Sequence, residues 1–308
     1  FPSPDAVGFL DRLREAHAPR FGVALSTSTD NGTNRSTTYA ARSEFDVDKQ
    51  WRLAIDANVR KAVTTNVNMH GEVVGFGTQL TVREGGTYTL VGRVGGQWMT
   101  ADGTSGTLRP WLQAKATRRI GTKYQASLGY TSDAFSYTAG MIAAKLQLHT
   151  VAATANGPLL GPLSFYAEAA TAIVTDGNAR GLTFLSIYSD LTKSPTAKLG
   201  VNGQLLGFAV TSPRAYFSPA RLVVGEAFGQ LVEDDPNKAF VYNALAAVGL
   251  QKINQESTQP IYRFFLSGGV RFHRHLRGEV YGQLTNSAST SISGFRMYEG
   301  GVRLETRL

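Results

Sequence analysis

The chain has 308 residues, of which 42% are hydrophobic and only 18% charged, and its formal net charge is +8. It contains no cysteine, which excludes disulfide bonds, thiolate nucleophiles and cysteine metal ligands. Its apolar runs are shorter than the ~18 residues that a spanning helix needs, and its dispersed basic residues argue against a nucleic-acid-binding patch.

Residues 1–19 predict one short amphipathic helix. Pro4 suits the first helical position, Leu10 and Leu13 recur at helical spacing, and Pro19 ends the run. We interpret this helix either as a flank of the strand-rich region that follows or as the end of a longer helical-repeat scaffold.

From Arg20 onward the hydrophobic period changes to two, which is typical of strands with one apolar and one polar face. Residues 51–60, 262–272 and 276–284 alternate in this way. Segments of ~10 residues or more exceed the ~5 to 6 residues of soluble strands and match strands that cross a membrane. The last segment places Tyr298, Val302 and Leu304 on one face and Arg303, Glu305 and Arg307 on the other.

Turn signals recur every ~15 to 20 residues after Arg20, and about fifteen of them imply about sixteen strands. An even number of strands returns both termini to one side of the membrane, as in bacterial single-chain barrels. We therefore predict an all-β fold, a transmembrane antiparallel β-barrel of the bacterial outer membrane over residues 20–308. Residues 1–19 would then lie in the periplasm. A soluble β-sandwich or propeller is the alternative.

All of the predicted loops are short, the longest having about 8 to 10 residues. A barrel of about sixteen strands is wide enough for an aqueous channel. The sequence predicts no long loop that folds inward to narrow this channel.

The histidines give no sign of a catalytic or metal site. His273 and His275 fall in a predicted turn, and strand parity places His149 in the barrel interior with Lys145 and Gln147. The GxSxG, HExxH and Walker motifs are absent. The sequence therefore predicts neither an enzyme nor a metal or cofactor site.

The polar faces of the predicted strands form the lining of the barrel interior, with both signs of charge, an excess of arginine, and some aromatic side chains. Cross-strand ion pairs that stiffen the wall explain part of this set. The functional interpretation is a hydrated conduit that binds sugars through aromatic faces and charged groups. The predicted lumen-lining and polymer-binding residues are Arg52, Asp56, Arg60, Arg109, Trp111, Gln113, Lys115, Arg263, Phe265, Arg271, Arg277, Glu279, Tyr281, Arg303, Glu305 and Arg307.

Residues 191–222 contain a Ser-Pro turn, an alternating strand and then a Tyr-Phe-Ser-Pro sequence. This order resembles the C-terminal outer-membrane barrel of the subunits that export bacterial exopolysaccharides, notably the cellulose-export subunits. The resemblance is strong in this segment and extends to the rest of the chain in layout only. The matching positions are Ser194 and Pro195, followed by Tyr216, Phe217, Ser218 and Pro219.

The resemblance implies passive export of a polysaccharide, with no cofactor. It also implies a periplasmic helical-repeat scaffold and an inner-membrane synthase as partners, beside the outer-membrane lipid. A general or substrate-specific porin for small solutes is the alternative. The chain departs from common barrels in ending on Leu308 where an aromatic residue is usual, and it contains no complete helical repeat.

Counting strands places the Tyr216 to Pro219 motif at the outer face of the barrel. There Pro219 would start a strand, and Tyr216 and Phe217 would pack over the pore mouth as a rim or gate. The alternative is that the two aromatic residues belong to an aromatic girdle at the membrane surface.

Overall fold

The computed structural model describes residues 18–31, 33–211, 216–235, 238–273, 275–288 and 296–307. Sixteen antiparallel strands follow one another around a closed barrel. No helix in these ranges is long and apolar enough to cross a membrane. The strands are β1 Arg20–Asp30, β2 Asn34–Asp46, β3 Trp51–Thr64, β4 Met69–Glu84, β5 Tyr88–Ala101, β6 Thr104–Ile120, β7 Tyr124–Ala134, β8 Gln147–Leu160, β9 Leu163–Val174, β10 Ala179–Lys193, β11 Thr196–Phe208, β12 Leu222–Glu233, β13 Phe240–Ile253, β14 Gln259–His273, β15 Leu276–Thr285 and β16 Met297–Arg307.

The barrel closes between its first and last strands. Arg20 lies opposite Arg307 and Asp30 lies opposite Met297, so the pairing is continuous across the seam. Both ends of the barrel chain therefore lie at the same rim, and the predicted sixteen-stranded antiparallel barrel is confirmed. The expected N-terminal helix falls mostly on residues 1–17, which lie outside the described ranges.

Side chains alternate between the outer surface and the interior, because successive residues of a strand point to opposite faces. In β1, Phe21, Val23 and Leu25 are exposed on the outer surface, and the residues between them are partly buried. In β16, Tyr298 and Leu304 are exposed in the same way, as the sequence pattern predicts. The outer surface is thus apolar and suited to lipid.

Aromatic side chains mark two levels of this outer surface. Trp51 and Tyr88 lie at the rim that holds the chain ends, and Trp98 lies toward the opposite rim. At ~3.4 Å per residue and a strand tilt of ~35 to 45°, the path from Tyr88 to Trp98 along β5 rises about 25 Å. This height matches the apolar band of an outer-membrane barrel.

The connections between strands differ in length at the two rims. The three longest, residues 135–146, 209–221 and 286–296, all lie at the rim opposite the chain ends. Outer-membrane barrels have short turns on the periplasmic side and longer loops outside. The rim that holds the three long connections is therefore the outer mouth, and the rim of Arg20 and Arg307 is the periplasmic mouth.

The wall departs from a regular barrel where β7 leaves β6. β6 is 17 residues long, but its ladder with β7 ends at Ser132, close to Pro110, which lacks a backbone N–H. Beyond this point β7 bends into the lumen. Its Asp133 carboxylate accepts a hydrogen bond from the inward-facing Gln97 of β5 at 2.8 Å, and the Ala134 N–H donates to the Gln97 amide oxygen at 2.8 Å.

A buried glutamine bridges the gap left between the two strands. The Gln147 amide nitrogen donates to the carbonyl oxygen of Pro110 at 2.5 Å and lies 2.6 Å from Ser132 Oγ. Gln147 is only 2% exposed. It thus replaces the ladder bonds that β6 and β7 do not make.

Candidate functional site

Residues 135–146, which we call the plug segment, fold into the lumen at the outer mouth. They contain the short helix α1, Ala139–Ala143, whose N-terminus is capped by Thr138 Oγ1 accepting from the Met141 N–H at 3.2 Å. The expectation that no loop folds inward is therefore wrong. The sequence indicates a turn at Thr131 to Thr138, which could close the pore, but not the helix, because α1 has only five residues, too few to establish a helical period.

Helix α1 connects opposite walls of the lumen. Met141 is fully buried in an apolar cluster that includes inward residues of β9, β11, β12, β13 and β14. The adjacent Ile142 is fully buried against Ala62, Val73 and Met99 of β3, β4 and β5. Because neighbouring residues of one helical turn pack on both sides of the lumen, the plug segment spans it.

Polar contacts tie the plug segment to the wall. Arg60 of β3 lies 3.4 Å from Ser136 Oγ, and its guanidinium carbon lies 5.1 Å from the centre of the Tyr137 ring. On the other side, Arg109 of β6 donates to the carbonyl oxygen of Lys145 at 3.1 Å. Two of the arginines predicted to bind polymer therefore hold the plug segment.

Tyr216 closes the outer mouth from a second loop. Its ring is 4% exposed and lies 5.1 Å from the ring of Phe135 and 5.6 Å from that of Phe208. Its hydroxyl donates to the Asp176 carboxylate at 2.9 Å and accepts from the buried Asn178 amide at 3.1 Å. Tyr216 thus lies inside the mouth and not in a lipid-facing girdle.

The rest of the motif packs around Tyr216. Phe217 is partly buried against the same apolar cluster, and Ser218 is 9% exposed. The Pro219 carbonyl accepts a hydrogen bond from the Phe208 N–H at 2.9 Å. The expectation that Pro219 starts a strand is wrong, because β12 begins only at Leu222 and Pro219 is held by the end of β11.

A third loop reaches the same cluster. Ala288 is 4% exposed there, and its N–H donates to the buried Gln251 side chain at 2.9 Å. Described residues of all three long connections therefore meet in one apolar cluster at the outer mouth.

Below the plug segment, one wall of the lumen is crossed by ion pairs. The Asp56 carboxylate of β3 contacts Arg42 of β2 at 2.6 Å and Arg93 of β5 at 3.1 Å. Arg93 in turn stacks over the Trp111 ring of β6 at 4.5 Å, and that ring also packs closely against Gly77. Trp111 is inward as predicted, but its side chain is only 8% exposed and stiffens the wall.

Inward aromatic side chains line much of the remaining wall, from β9 to β15. Tyr166 and Phe184 are 6.0 Å apart, and Phe265 and Tyr281 stack at 6.3 Å. Tyr188 of β10 and Phe228 of β12 both pack over Gly200, between them. We refer to these six residues, Tyr166, Phe184, Tyr188, Phe228, Phe265 and Tyr281, as the aromatic band.

Sequence reasoning found only Phe265 and Tyr281 of the aromatic band. Tyr166 was missed because it lies on β9, whose outward residues include the small Ala167, Ala169 and Thr171. With so little contrast between the two faces, hydrophobic alternation could not fix which residues point inward. Ile173 is exposed on the outer surface of β9, and Tyr166, seven residues earlier on the same strand, must therefore point inward.

All predicted lining residues lie on inward faces, namely those of β3, β6, β14, β15 and β16. Several already have partners in the wall: Arg263 pairs with Glu226, Arg277 with Glu279 at 3.0 Å, and Arg307 with Glu305 at 3.8 Å. Their role in binding a polymer stays a prediction. Lys115 and Arg303 lie on the same inward surface with no carboxylate within 4.0 Å in the described part of the chain, and Gln113 lies on that surface as well.

Arg271 has a structural role at the periplasmic mouth. Its guanidinium donates to the carbonyl oxygens of Lys238 at 2.8 Å and Asp234 at 3.1 Å, in the connection between β12 and β13. In the same turn the Lys238 ammonium bonds Glu233, which raises the pKa of Lys238. Arg271 therefore fixes a turn.

The expected inward position of His149 is wrong. Leu148 pairs with the inward-facing Asp133 and therefore points into the lumen, so the next residue, His149, points outward. There the His149 Nδ1 lies 3.0 Å from the Tyr130 hydroxyl. Gln147 lies in the gap between β6 and β7. No group of three or more His, Asp or Glu residues in the described ranges could hold a metal ion.

Comparisons with known proteins were informative at the level of structure. Neither the models of protein families nor the curated protein sequences gave a match. A solved structure described as a bacterial polysaccharide outer membrane secretin aligns with 95% of this chain and 99% of its own length, with a TM-score of 0.75 and 10% identity. CdiB from Acinetobacter baumannii aligns with 94% of this chain and 60% of its own, with a TM-score of 0.54 and 10% identity.

At such identities the likeness establishes the fold alone. The shared fold is a membrane barrel, and the lipid-suited outer surface and polar interior of this chain agree with it. The chain is a sixteen-stranded β-barrel of the bacterial outer membrane.

Proposed function

We propose that this barrel exports a secreted polysaccharide through its lumen. The observation that carries the proposal is the aromatic band, because aromatic faces bind the apolar faces of sugar rings and tolerate sliding from one ring to the next. The band runs from β9 to β15, opposite the ion-paired wall of β2 to β6. A sugar chain between them would meet apolar faces on one side and hydrogen-bonding groups on the other.

The closed outer mouth also supports export. A channel that releases a polymer has to prevent leakage when idle, whereas a porin needs a standing opening of fixed size. Here three loops meet around Tyr216, Phe135 and Met141. Such a closure suits a channel that is opened by its cargo from the periplasmic side.

Two further considerations favour a polysaccharide as cargo. The solved barrel that aligns with 95% of the chain is described as a polysaccharide secretin, and residues 191–222 resemble the cellulose-type export barrels. On this proposal the chain works with an inner-membrane synthase and a periplasmic helical-repeat scaffold, carries out no reaction itself and needs no cofactor.

The test is a clean deletion of the gene, with secreted polysaccharide and uptake of small solutes both measured. We expect secretion to be abolished and uptake unchanged. Complementation with Tyr166→Ala/Phe184→Ala should restore the barrel in the outer membrane but less than half of the secretion, while Tyr298→Ala on the lipid face should restore it fully. Normal secretion together with lost solute uptake would instead establish a porin.

A further inference from the structure

The charges of the lumen are unevenly partnered. Each inward carboxylate between the two mouths contacts a cation, an amide or a phenol: Asp56 has two arginines, Glu168 accepts from the Tyr166 hydroxyl at 2.9 Å, and Glu299 from the Tyr281 hydroxyl at 3.2 Å. Some of the inward cations, by contrast, have no carboxylate partner among the described residues.

Several inward cations have no carboxylate within 4.0 Å among the residues that the structure describes. Arg60 and Arg109 bind the plug segment, and Arg271 binds the turn between β12 and β13. These three arginines are therefore already engaged in structural contacts. The remaining members of the set face the open lumen. Four of them, Arg20, Lys115, Arg180 and Arg303, lie between the periplasmic mouth and the plug segment, and Arg83 and Arg119 point inward at the periplasmic ends of β4 and β6.

These four cations are spread along the path. Arg20 and Arg303 line one cavity of about 280 Å³ at the periplasmic mouth, together with Arg42 and the carboxylates Glu44 and Glu305, so arginines outnumber carboxylates there by three to two. Lys115 lies on β6, lower in the same wall as Trp111. Arg180 lies on β10 near the outer mouth, opposite Ala172 and Phe208, with the Tyr137 hydroxyl of the plug segment and the Glu168 carboxylate of β9 both within electrostatic reach.

We infer that the exported polymer is acidic, carrying carboxylate or similar anionic substituents along its length. This inference rests on the proposed function. An anionic group entering at Arg20 and Arg303 would find a further cation at Lys115 and another at Arg180, beside the closure. Cations held inside a low-dielectric wall attract anions more strongly than they would in water. Meanwhile the partnered carboxylates leave few sites that would hold a cationic polymer.

The experiment uses the purified full chain in detergent and three fluorescently labelled oligosaccharides of equal length: an oligogalacturonate, a cello-oligosaccharide and a chitosan oligosaccharide. Binding is followed by fluorescence anisotropy at low salt and at about 0.5 M salt, where charge interactions are screened. We expect the acidic oligosaccharide to bind at least tenfold more tightly than the neutral one at low salt, and this advantage to shrink at high salt.

The triple variant Lys115→Gln/Arg180→Gln/Arg303→Gln should lose at least tenfold in affinity for the acidic ligand and keep its affinity for the neutral one. Arg35→Gln, on the outer surface of β2, is the control and should change neither. Equal or tighter binding of the neutral or cationic ligand would overturn the inference while leaving export itself intact. Failure of all three ligands to bind would count against both proposals.

Discussion

Ile142 of the plug segment packs directly on the backbone of Gly71 in β4. A methyl group added at Gly71 would lie 2.9 Å from the Cβ of Ile142, closer than such atoms normally approach. The absence of a side chain at Gly71 therefore lets Ile142, and with it the plug segment, pack against β4.

Gly71→Ala should displace the plug segment and make the channel leak. Since the added methyl points into the lumen and the strand conformation accepts alanine, the barrel itself should fold normally. The measurement is single-channel conductance in a planar bilayer, together with sensitivity of cells to large hydrophilic antibiotics. Gly92→Ala on β5, where a methyl group meets nothing within 4 Å, is the matched control. Unchanged conductance for Gly71→Ala would show that the plug segment does not seal the pore.

Tyr216→Phe should loosen the closure while preserving its packing. The substitution keeps the ring against Phe135 but removes the hydroxyl that joins Asp176 and Asn178. Loss of these buried hydrogen bonds should cost about 1 kcal/mol, which corresponds to about a fivefold larger open population. Channel open time in a bilayer reports this shift. Tyr298→Phe, on the lipid face, should leave the open time as it is.

Asp56→Asn should weaken the ion-paired wall. It leaves Arg42 and Arg93 facing each other without the carboxylate between them. Because Asp56 is only 7% exposed, we expect a loss of about 2 kcal/mol in the free energy of unfolding, measured with urea in lipid vesicles. Asp190→Asn provides the comparison. That carboxylate is exposed and 4.0 Å from Lys198, so its loss should cost below about 0.5 kcal/mol.

Single cysteines can test the orientation, since the natural chain has none. Thr104→Cys, at the first residue of β6 beside the outer turn from β5, should react with a membrane-impermeant maleimide on intact cells. Lys123→Cys, between β6 and β7, should react only after the outer membrane is permeabilised. The reverse pattern would mean that the barrel is inserted with the three long loops in the periplasm. Within residues 298–307, only alternate positions should label.

The strands could be predicted because most of them contrast strongly between their two faces. In β16, Val302 and Leu304 against Arg303 and Glu305 fix both the parity and the membrane assignment. An even number of strands is what allows β16 to pair antiparallel with β1, as the structure has it. The polar residues of β3 were placed inward for the same reason.

The closed outer mouth could not be predicted in the same way. Tyr216 was placed at the correct rim, but its contacts with Phe135 and Asp176 join loops that are distant in the sequence. Such contacts depend on how the three loops meet in space and leave no periodic signal. Thr131 to Thr138 was expected as a turn that could close the pore, but the helix that continues β7 into the lumen was not expected, because its five residues are too few to establish a helical period.

That continuity determines what happens when the mouth opens. Phe135 donates its N–H to the Leu146 carbonyl at 2.9 Å, which extends the pairing of β7 with β8. The plug segment is therefore the bent tip of the β7–β8 hairpin and not a separate lid joined by flexible linkers. On the proposed function, a polymer that displaces the tip would bend β7 in the wall beside Pro110. We expect the two hydrogen bonds of Gln147, which join β6 and β7 there, to bear that movement. Opening of the pore would then be coupled to the cohesion of the barrel on that side.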